Sequence, residues 1–138
     1  VVSYCEDQEL HEFLSATEIL ICMLALTPET NDILNSTTLS LLPRGAYVVN
    51  VGRGDHIVED DLVELLKSGH ISAAALDCFR REPLDESSPF WNHPNVFITP
   101  HAATGTYAPS AAKHVVENIR RLYDREPLLN QLDMSKGY

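Results

Sequence analysis

Apolar runs alternate along the chain with stretches of helical periodicity. The apolar runs at residues 18–26, 46–51, 71–76 and 96–99 have the length and residue types of β-strands. The first run is apolar at successive positions, which is typical of a strand covered by helices on both faces. This alternation predicts βαβ units and therefore an α/β fold with a parallel sheet.

A helix is predicted over residues 58–70. Leu62, Leu65 and Leu66 follow the i, i+3, i+4 spacing of an apolar helix face. Acidic residues crowd the first turn, and Gly69 is suited to the position just beyond the C-terminus of the helix.

Two further helices are predicted on either side of this one. A short helix at residues 37–42 has Asn35 or Ser36 as its N-cap. A long final helix begins near Pro109, a residue favoured in the first helical turn. Its apolar stripe consists of Ala111, Val115, Ile119 and Leu122.

Four chemically capable residues follow the predicted strands. Arg53 comes just after the second strand, Asp77 and Glu82 follow the third, and His101 follows the fourth. The carboxyl ends of parallel strands lie along one edge, and open α/β sheets bind ligands outside that edge. The sequence therefore predicts a site where a guanidinium, two carboxylates and an imidazole meet.

Each residue also has an ordinary structural interpretation. Arg53 lies between Gly52 and Gly54 and could bind a carboxylate bidentately, although a surface Arg in a tight turn is more common. His101 suits proton transfer near neutral pH, and Glu82 could orient it and stabilise its charged form. A solvated loop charge is the alternative for Glu82. Asp77 could accept from a ligand amide or cap a turn.

Composition narrows the class of partner. The net charge of −10 argues against nucleic acid, and no apolar run is long enough for a membrane span. No pair of histidines shows metal-type spacing, so no metal site is predicted, and Trp91 is interpreted as a loop anchor. Three cysteines without a CxxC pattern, at positions 5, 22 and 78, indicate apolar core residues in a reducing cytoplasm.

Two segments together resemble a known family. AYVVNVGRGDHIVEDDLVELLKSGHISAAALDCFRREPL, followed by NVFITPHAA, is similar to the D-2-hydroxyacid dehydrogenases. CFRREPLDESSPFWNHPNVFITPH and the closing KGY most resemble the glyoxylate/hydroxypyruvate reductase A branch of that family. The resemblance implies that Arg53 binds the substrate carboxylate and that Glu82 pairs with the catalytic His101. It also implies that Asp77 holds the nicotinamide amide. The cofactor contacts it implies are Leu26, Thr27, Val51, Arg53, Asp77 and Ala103.

The same resemblance implies a function and a domain organisation. We expect NADPH- or NADH-dependent reduction of a short 2-oxoacid, such as glyoxylate or hydroxypyruvate, in a cytoplasmic protein. Residues 1–105 would form the second half of a doubly wound dinucleotide-binding (Rossmann-type) domain. Residues 106–138 would be a long helix and tail that belong with a substrate domain.

The family's GxGxxG phosphate-binding turn does not occur in this chain, and the chain does not open with Met. We therefore expect a fragment of a homodimeric enzyme that is inactive by itself and tends to self-associate. Two alternatives remain open. The protein could be a dinucleotide-sensing binding protein, such as a corepressor, on the same scaffold, or an inactive fragment without a function of its own.

Overall fold

The computed structural model describes residues 2–4, 9–103, 105 and 107–134. The chain consists of two compact units, residues 1–101 and residues 102–138.

A parallel sheet of four strands forms the centre of the first unit. The strands are β1 (Ile19–Cys22), β2 (Ala46–Asn50), β3 (Ile71–Leu76) and β4 (Val96–Ile98), arranged in that order across the sheet. The predicted α/β class and parallel pairing are confirmed. The first strand is shorter than predicted because its partner β2 ends opposite Cys22, at Asn50.

The last residues of the four strands lie on one row of the sheet. Cys22 pairs with Asn50, Asn50 with Leu76, and Leu76 with Ile98. The chain therefore leaves all four strands at the same level, and the loops that follow them start side by side.

The described part of the first unit also contains three α-helices: α1 (Leu10–Ser15), α2 (Ser36–Leu39) and α3 (Glu59–Lys67). The sequence did not predict α1. Asn35 is the N-cap of α2, and its side chain accepts hydrogen bonds from the backbone amides of Thr37 and Thr38. Gly69 has the positive φ expected just beyond α3.

Only one face of the sheet is buried. Leu20, Val48 and Ala74 point into a core that also contains Leu14, Leu39 and Leu62 from the three helices. Four large apolar residues of the opposite face are between 49% and 67% exposed, namely Ile19, Ile21, Tyr47 and Phe97, and the residues between them, Val49, Ala73 and Ala75, are half-buried. The prediction that β1 is covered on both faces is therefore wrong for the described structure. The apolar residues of β1 alternate between a buried face and an exposed face, because the described helices cover one face only.

Gly54 brings the turn after β2 against the loop after β3. A Cβ atom at position 54 would lie 1.9 Å from the carbonyl carbon of Phe79 and 2.2 Å from the backbone nitrogen of Arg80. The backbones touch at this point, so only glycine fits. The second glycine of the Gly-Arg-Gly turn is therefore explained by contact between two loops rather than by the approach of a ligand.

The second unit consists of α4 (Ala108–Asp124) and the segment that follows it. Pro109 lies in the first turn of α4, as predicted. The amide side chain of Asn118 donates to the carbonyl of Leu129 at 3.2 Å and accepts from its backbone nitrogen at 2.8 Å. These bonds hold the tail against the helix. The assignment of residues 106–138 to a substrate domain stays a prediction.

None of the helices in the described ranges combines the length and the apolar character needed to cross a membrane.

We expect Gly54→Ala to lower the free energy of unfolding by about 1–3 kcal/mol or more, because the added methyl group overlaps a backbone that cannot move aside cheaply. Urea unfolding followed by circular dichroism measures the difference. Gly105→Ala is the matched control, since a Cβ there would meet no described atom within 4 Å. Equal stability of the two variants would contradict the close approach at Gly54.

Candidate active site

The loops after β2, β3 and β4 bring the candidate residues to one edge of the sheet. Arg53 follows β2, Asp77 follows β3 directly, and His101 follows β4. Because these strands are neighbours and end on one row, the three loops are adjacent. This is the edge at which open α/β sheets bind their ligands.

Glu82 and His101 form a hydrogen-bonded pair. The Nδ1 atom of His101 lies 2.8 Å from Oε2 of Glu82, and the backbone amide of Phe79 donates to Oε1 at 2.9 Å. The imidazole and then the Phe79 amide lower the pKa of the Glu82 carboxyl from its ordinary value. An ionised carboxylate only accepts, so Nδ1 carries a proton. Nε2 is then the ring nitrogen left for exchange with a bound molecule.

Two backbone hydrogen bonds fix the position of His101, one of them to the first residue of the loop that carries Glu82. Its amide donates to the carbonyl of Asp77 at 2.8 Å and to that of Thr99 at 3.0 Å. Its φ is 52°, in the left-handed region. The direction of the imidazole is thus set by the backbone as well as by the bond to Glu82.

Asp77 is buried and bound to the neighbouring strand end. Its Oδ1 atom accepts a hydrogen bond from the hydroxyl of Thr99. The sequence left open whether this carboxylate binds a ligand or stabilises a turn. The structure shows that it at least joins the ends of β3 and β4.

A cavity of about 650 Å³ opens beside the Glu82–His101 pair. Its polar lining includes Asp77, Glu82, Thr99 and His101. Its other lining residues are Phe79, Pro83, Leu84, Trp91, Ile98 and Pro100. A cavity of this size, mostly apolar and with a few polar groups together, is typical of a small-molecule site.

Trp91 has two roles that the sequence did not separate. Its indole nitrogen donates to the carbonyl of Asp85 at 2.9 Å, which fits the predicted loop anchor. Its side chain is also about half exposed and forms part of the cavity wall. An aromatic residue in the loop between Glu82 and His101 is a sequence feature that could have indicated a place in the cavity wall. The sequence does not show which way the ring points.

Arg53 lies outside the cavity wall. Its side chain is exposed, and Nη1 donates to the carbonyl of Gly52 at 2.7 Å. Its backbone is held by two buried residues that the sequence did not single out. Asn50 donates to the carbonyl of Arg53 at 2.8 Å, and the ring of His56 accepts from its amide at 3.1 Å.

The predicted cofactor contacts after β1 and β2 lie on neighbouring loops. The amide of Val51 donates to the carbonyl of Cys22, at the end of β1. Leu26 is exposed, whereas Thr27 is buried and its amide donates to the hydroxyl of Thr30 at 2.8 Å. Ala103 belongs to the second unit.

The cysteines behave as core residues where they are described. Cys22 and Cys78 are buried and unpaired; Cys22 is the last residue of β1, and Cys78 lies two residues beyond the end of β3. Burial, followed by the charges of Asp77 and Glu82, raises the pKa of the Cys78 thiol to about 11, so it is not a thiolate near neutral pH. Cys5 lies outside the described residues. In the part of the chain that the structure describes, no three His, Cys, Asp or Glu residues are grouped to hold a metal ion.

Comparison with known proteins shows what this chain is similar to. The family model described as "D-isomer specific 2-hydroxyacid dehydrogenase, NAD binding domain" matches residues 2–103. Two proteins named glyoxylate/hydroxypyruvate reductase A, from Klebsiella pneumoniae strains 342 and ATCC 700721 / MGH 78578, are 46% and 45% identical over all 138 residues. The chain spans 44% of the length of each of these curated relatives.

Solved structures of 2-hydroxyacid dehydrogenases are also similar to this chain. A D-isomer specific 2-hydroxyacid dehydrogenase from Xanthobacter autotrophicus Py2, in complex with NADPH and MES, is 47% identical with a TM-score of 0.92. The similarity covers 96% of this chain and 55% of that one. An NADPH-dependent glyoxylate/hydroxypyruvate reductase from Sinorhizobium meliloti, in complex with NADP and sulfate, is 37% identical with a TM-score of 0.91. Here the similarity covers 97% of this chain and 44% of the other.

We expect His101→Ala to raise the pKa of the Glu82 carboxyl towards its ordinary value, because the imidazole that favours the carboxylate is removed. The Phe79 amide remains, so the return should be partial. Titration of the side-chain carboxyl carbons by NMR measures the pKa. Asp85 is the internal control, since its lowered pKa arises from Ser87. An unchanged pKa of Glu82 would show that the pair does not exist in solution.

Proposed function

The chain belongs to the D-isomer specific 2-hydroxyacid dehydrogenase family, and we propose that the protein reduces a short 2-oxoacid to the 2-hydroxyacid. Glyoxylate and hydroxypyruvate are the substrates in the names of its relatives, and NADPH or NADH would be the reductant. The observation that carries the proposal is the 2.8 Å Glu82–His101 pair in a cavity at the carboxyl edge of the sheet.

His101 would be the proton donor. As the carbonyl carbon is reduced, its oxygen gains negative charge and needs a proton, which an imidazolium can supply near neutral pH. Glu82 orients the ring through Nδ1. The Phe79 amide on the other carboxylate oxygen keeps Glu82 in place for this role.

Arg53 would bind the carboxylate of the substrate. Its guanidinium offers the planar, bidentate geometry that a carboxylate fits. The side chain is exposed, and the hydrogen bond from Nη1 to the Gly52 carbonyl engages one of its donors. With an overall charge of −10, an anionic substrate needs such a local positive group.

The described residues fit the nicotinamide end of a dinucleotide. The loops after β1, β2 and β3 lie side by side, with Leu26 exposed and the Asp77 carboxylate buried beside them. Leu26, Thr27 and Val51 would contact the cofactor, and Asp77 would accept from the nicotinamide amide. When bound, this cofactor supplies the hydride. NADP is favoured over NAD because structures of relatives contain NADPH or NADP.

The decisive experiment follows NAD(P)H oxidation by absorbance in the presence of glyoxylate or hydroxypyruvate. Turnover that depends on the oxoacid supports the proposal. Tight dinucleotide binding without turnover would instead favour a dinucleotide-sensing protein, since a sensor needs the cofactor site but not the proton donor. We further propose that the protein is cytoplasmic and homodimeric. Sedimentation of the active protein tests the oligomeric state.

Arg53→Lys should raise KM for the oxoacid about ten- to a hundredfold. Lysine keeps the charge but loses the fork, and a charge-assisted hydrogen bond contributes on the order of 1.5–3 kcal/mol. KM for glyoxylate and Kd for NADPH are measured side by side. Arg44→Lys is the control, because its guanidinium donates to the Ser68 carbonyl near the opposite end of the sheet. Equal losses of oxoacid and cofactor binding in Arg53→Lys would contradict the assignment to the substrate carboxylate.

Glu82→Gln should lower kcat for reduction about tenfold, the equivalent of about one net hydrogen bond. A neutral amide accepts a weaker hydrogen bond from Nδ1 of His101 than the carboxylate does at 2.8 Å, so the ring is held less firmly in the direction that proton transfer needs. Steady-state kcat with glyoxylate and Kd for NADPH are measured side by side, and Kd should stay close to that of the parent protein. An unchanged kcat would rule out Glu82 as the group that orients the ring.

A further inference from the structure

Two polar side chains are completely buried outside the cavity. Asn50, the last residue of β2, and His56, in the 3₁₀ turn Gly54–His56, each have no exposed surface. Buried polar groups are stable only when they are hydrogen-bonded, so their partners show what they hold in place.

His56 links the loop after β1 to the backbone of Arg53. Its Nδ1 atom accepts from the amide of Arg53 at 3.1 Å, so Nδ1 carries no proton in this arrangement. The proton is then on Nε2, which lies 3.4 Å from the carbonyl of Ala25. A neutral ring of one tautomer therefore bridges the two loops.

Asn50 holds the same turn from its other side. Its side chain donates to the carbonyl of Arg53 at 2.8 Å and accepts from the amide of Gly52 at 3.1 Å. Both backbone groups of Arg53 are thus bound by buried side chains. The absence of a side chain at position 52 allows this, since a Cβ there would lie 3.0 Å from the ring of His56.

We propose that His56 is a positioning residue that sets the distance between the cofactor loop and the substrate-binding arginine. The inference rests on the proposed function, in which residues 26 and 27 contact the cofactor and Arg53 binds the carboxylate. Ala25 directly precedes those cofactor contacts. Through its two nitrogens, His56 holds both loops in one register, so hydride donor and substrate would meet at a fixed separation.

Substitutions at residue 56 can remove the hydrogen bond to Arg53 and the hydrogen bond to Ala25 one at a time. In His56→Asn, Oδ1 can take the place of Nδ1 and accept from the Arg53 amide, but the side chain is too short to reach Ala25. In His56→Gln, the longer amide can donate to the Ala25 carbonyl, but it leaves the Arg53 amide without its acceptor. His56→Leu removes both bonds. His11→Asn, on an exposed part of α1, is the control for the substitution itself.

We expect the His56 variants to differ in whether they impair substrate binding or cofactor binding. His56→Gln should raise KM for glyoxylate about tenfold, the equivalent of one net hydrogen bond, with little change in Kd for NADPH. His56→Asn should weaken NADPH binding and leave KM for glyoxylate nearer to that of the parent protein. His56→Leu should impair both and lower kcat. A purely structural histidine would instead lower stability in all three without this difference, and that result would overturn the inference.

A second measurement does not depend on activity. Hydrogen exchange of the Arg53 amide, followed by NMR, should speed up in His56→Gln and His56→Leu but not in His56→Asn. Equal exchange in the three variants would overturn the inference even if the protein is an active reductase. A parent protein without reductase activity would instead overturn the proposed function, while the exchange data would still show whether His56 holds the Arg53 backbone.

Discussion

The common end row of the four strands is the constraint on which the rest of the structure depends. Cys22, Asn50, Leu76 and Ile98 are each the last residue of a strand and lie opposite one another. If one strand were shifted along its neighbour, its loop would start at another level. Parallel hydrogen bonding thus converts residues that are distant in sequence into neighbours at one edge.

The loops after the strands are then joined by contacts that leave little freedom. Gly54 lies against the backbone of Phe79 and Arg80, which connects the turn after β2 with the loop after β3. Asp77 and Thr99 connect β3 with β4, and His56 connects the turn after β2 with the loop after β1. Most of these contacts involve backbone atoms. The turn after β2 is therefore held by a backbone contact at Gly54 and by the buried ring of His56, whereas the link between β3 and β4 also uses the exposed side chain of Thr99.

Periodicity and residue type predicted those parts of the fold that local chemistry decides. The bounds of β3, the Asn35 cap and the left-handed Gly69 follow from propensities that act within a few residues. The exposed face of β1 could not be predicted in this way. Apolar residues at successive positions show that a strand can be covered on both faces, but not which described element covers each face.

The residues of the candidate site also differ in whether the sequence alone can suggest them. Arg53, Glu82 and His101 can be proposed from the sequence because their chemistry is unusual after a strand and their motifs resemble a family. Asn50 and His56 cannot, because in a sequence a buried, fully bonded polar residue looks the same as a solvated one. Only the three-dimensional contacts distinguish them.

The left-handed backbone of His101 has a consequence for the choice of amino acid at that position. A residue with a Cβ atom held at positive φ costs of order 1–3 kcal/mol, whereas glycine adopts it freely and asparagine more easily than most. A chain selected for thermodynamic stability alone would therefore favour glycine or asparagine at residue 101. Histidine at this point means that the fold gives up stability where an imidazole is held, and the two amide hydrogen bonds to Asp77 and Thr99 help to offset that loss.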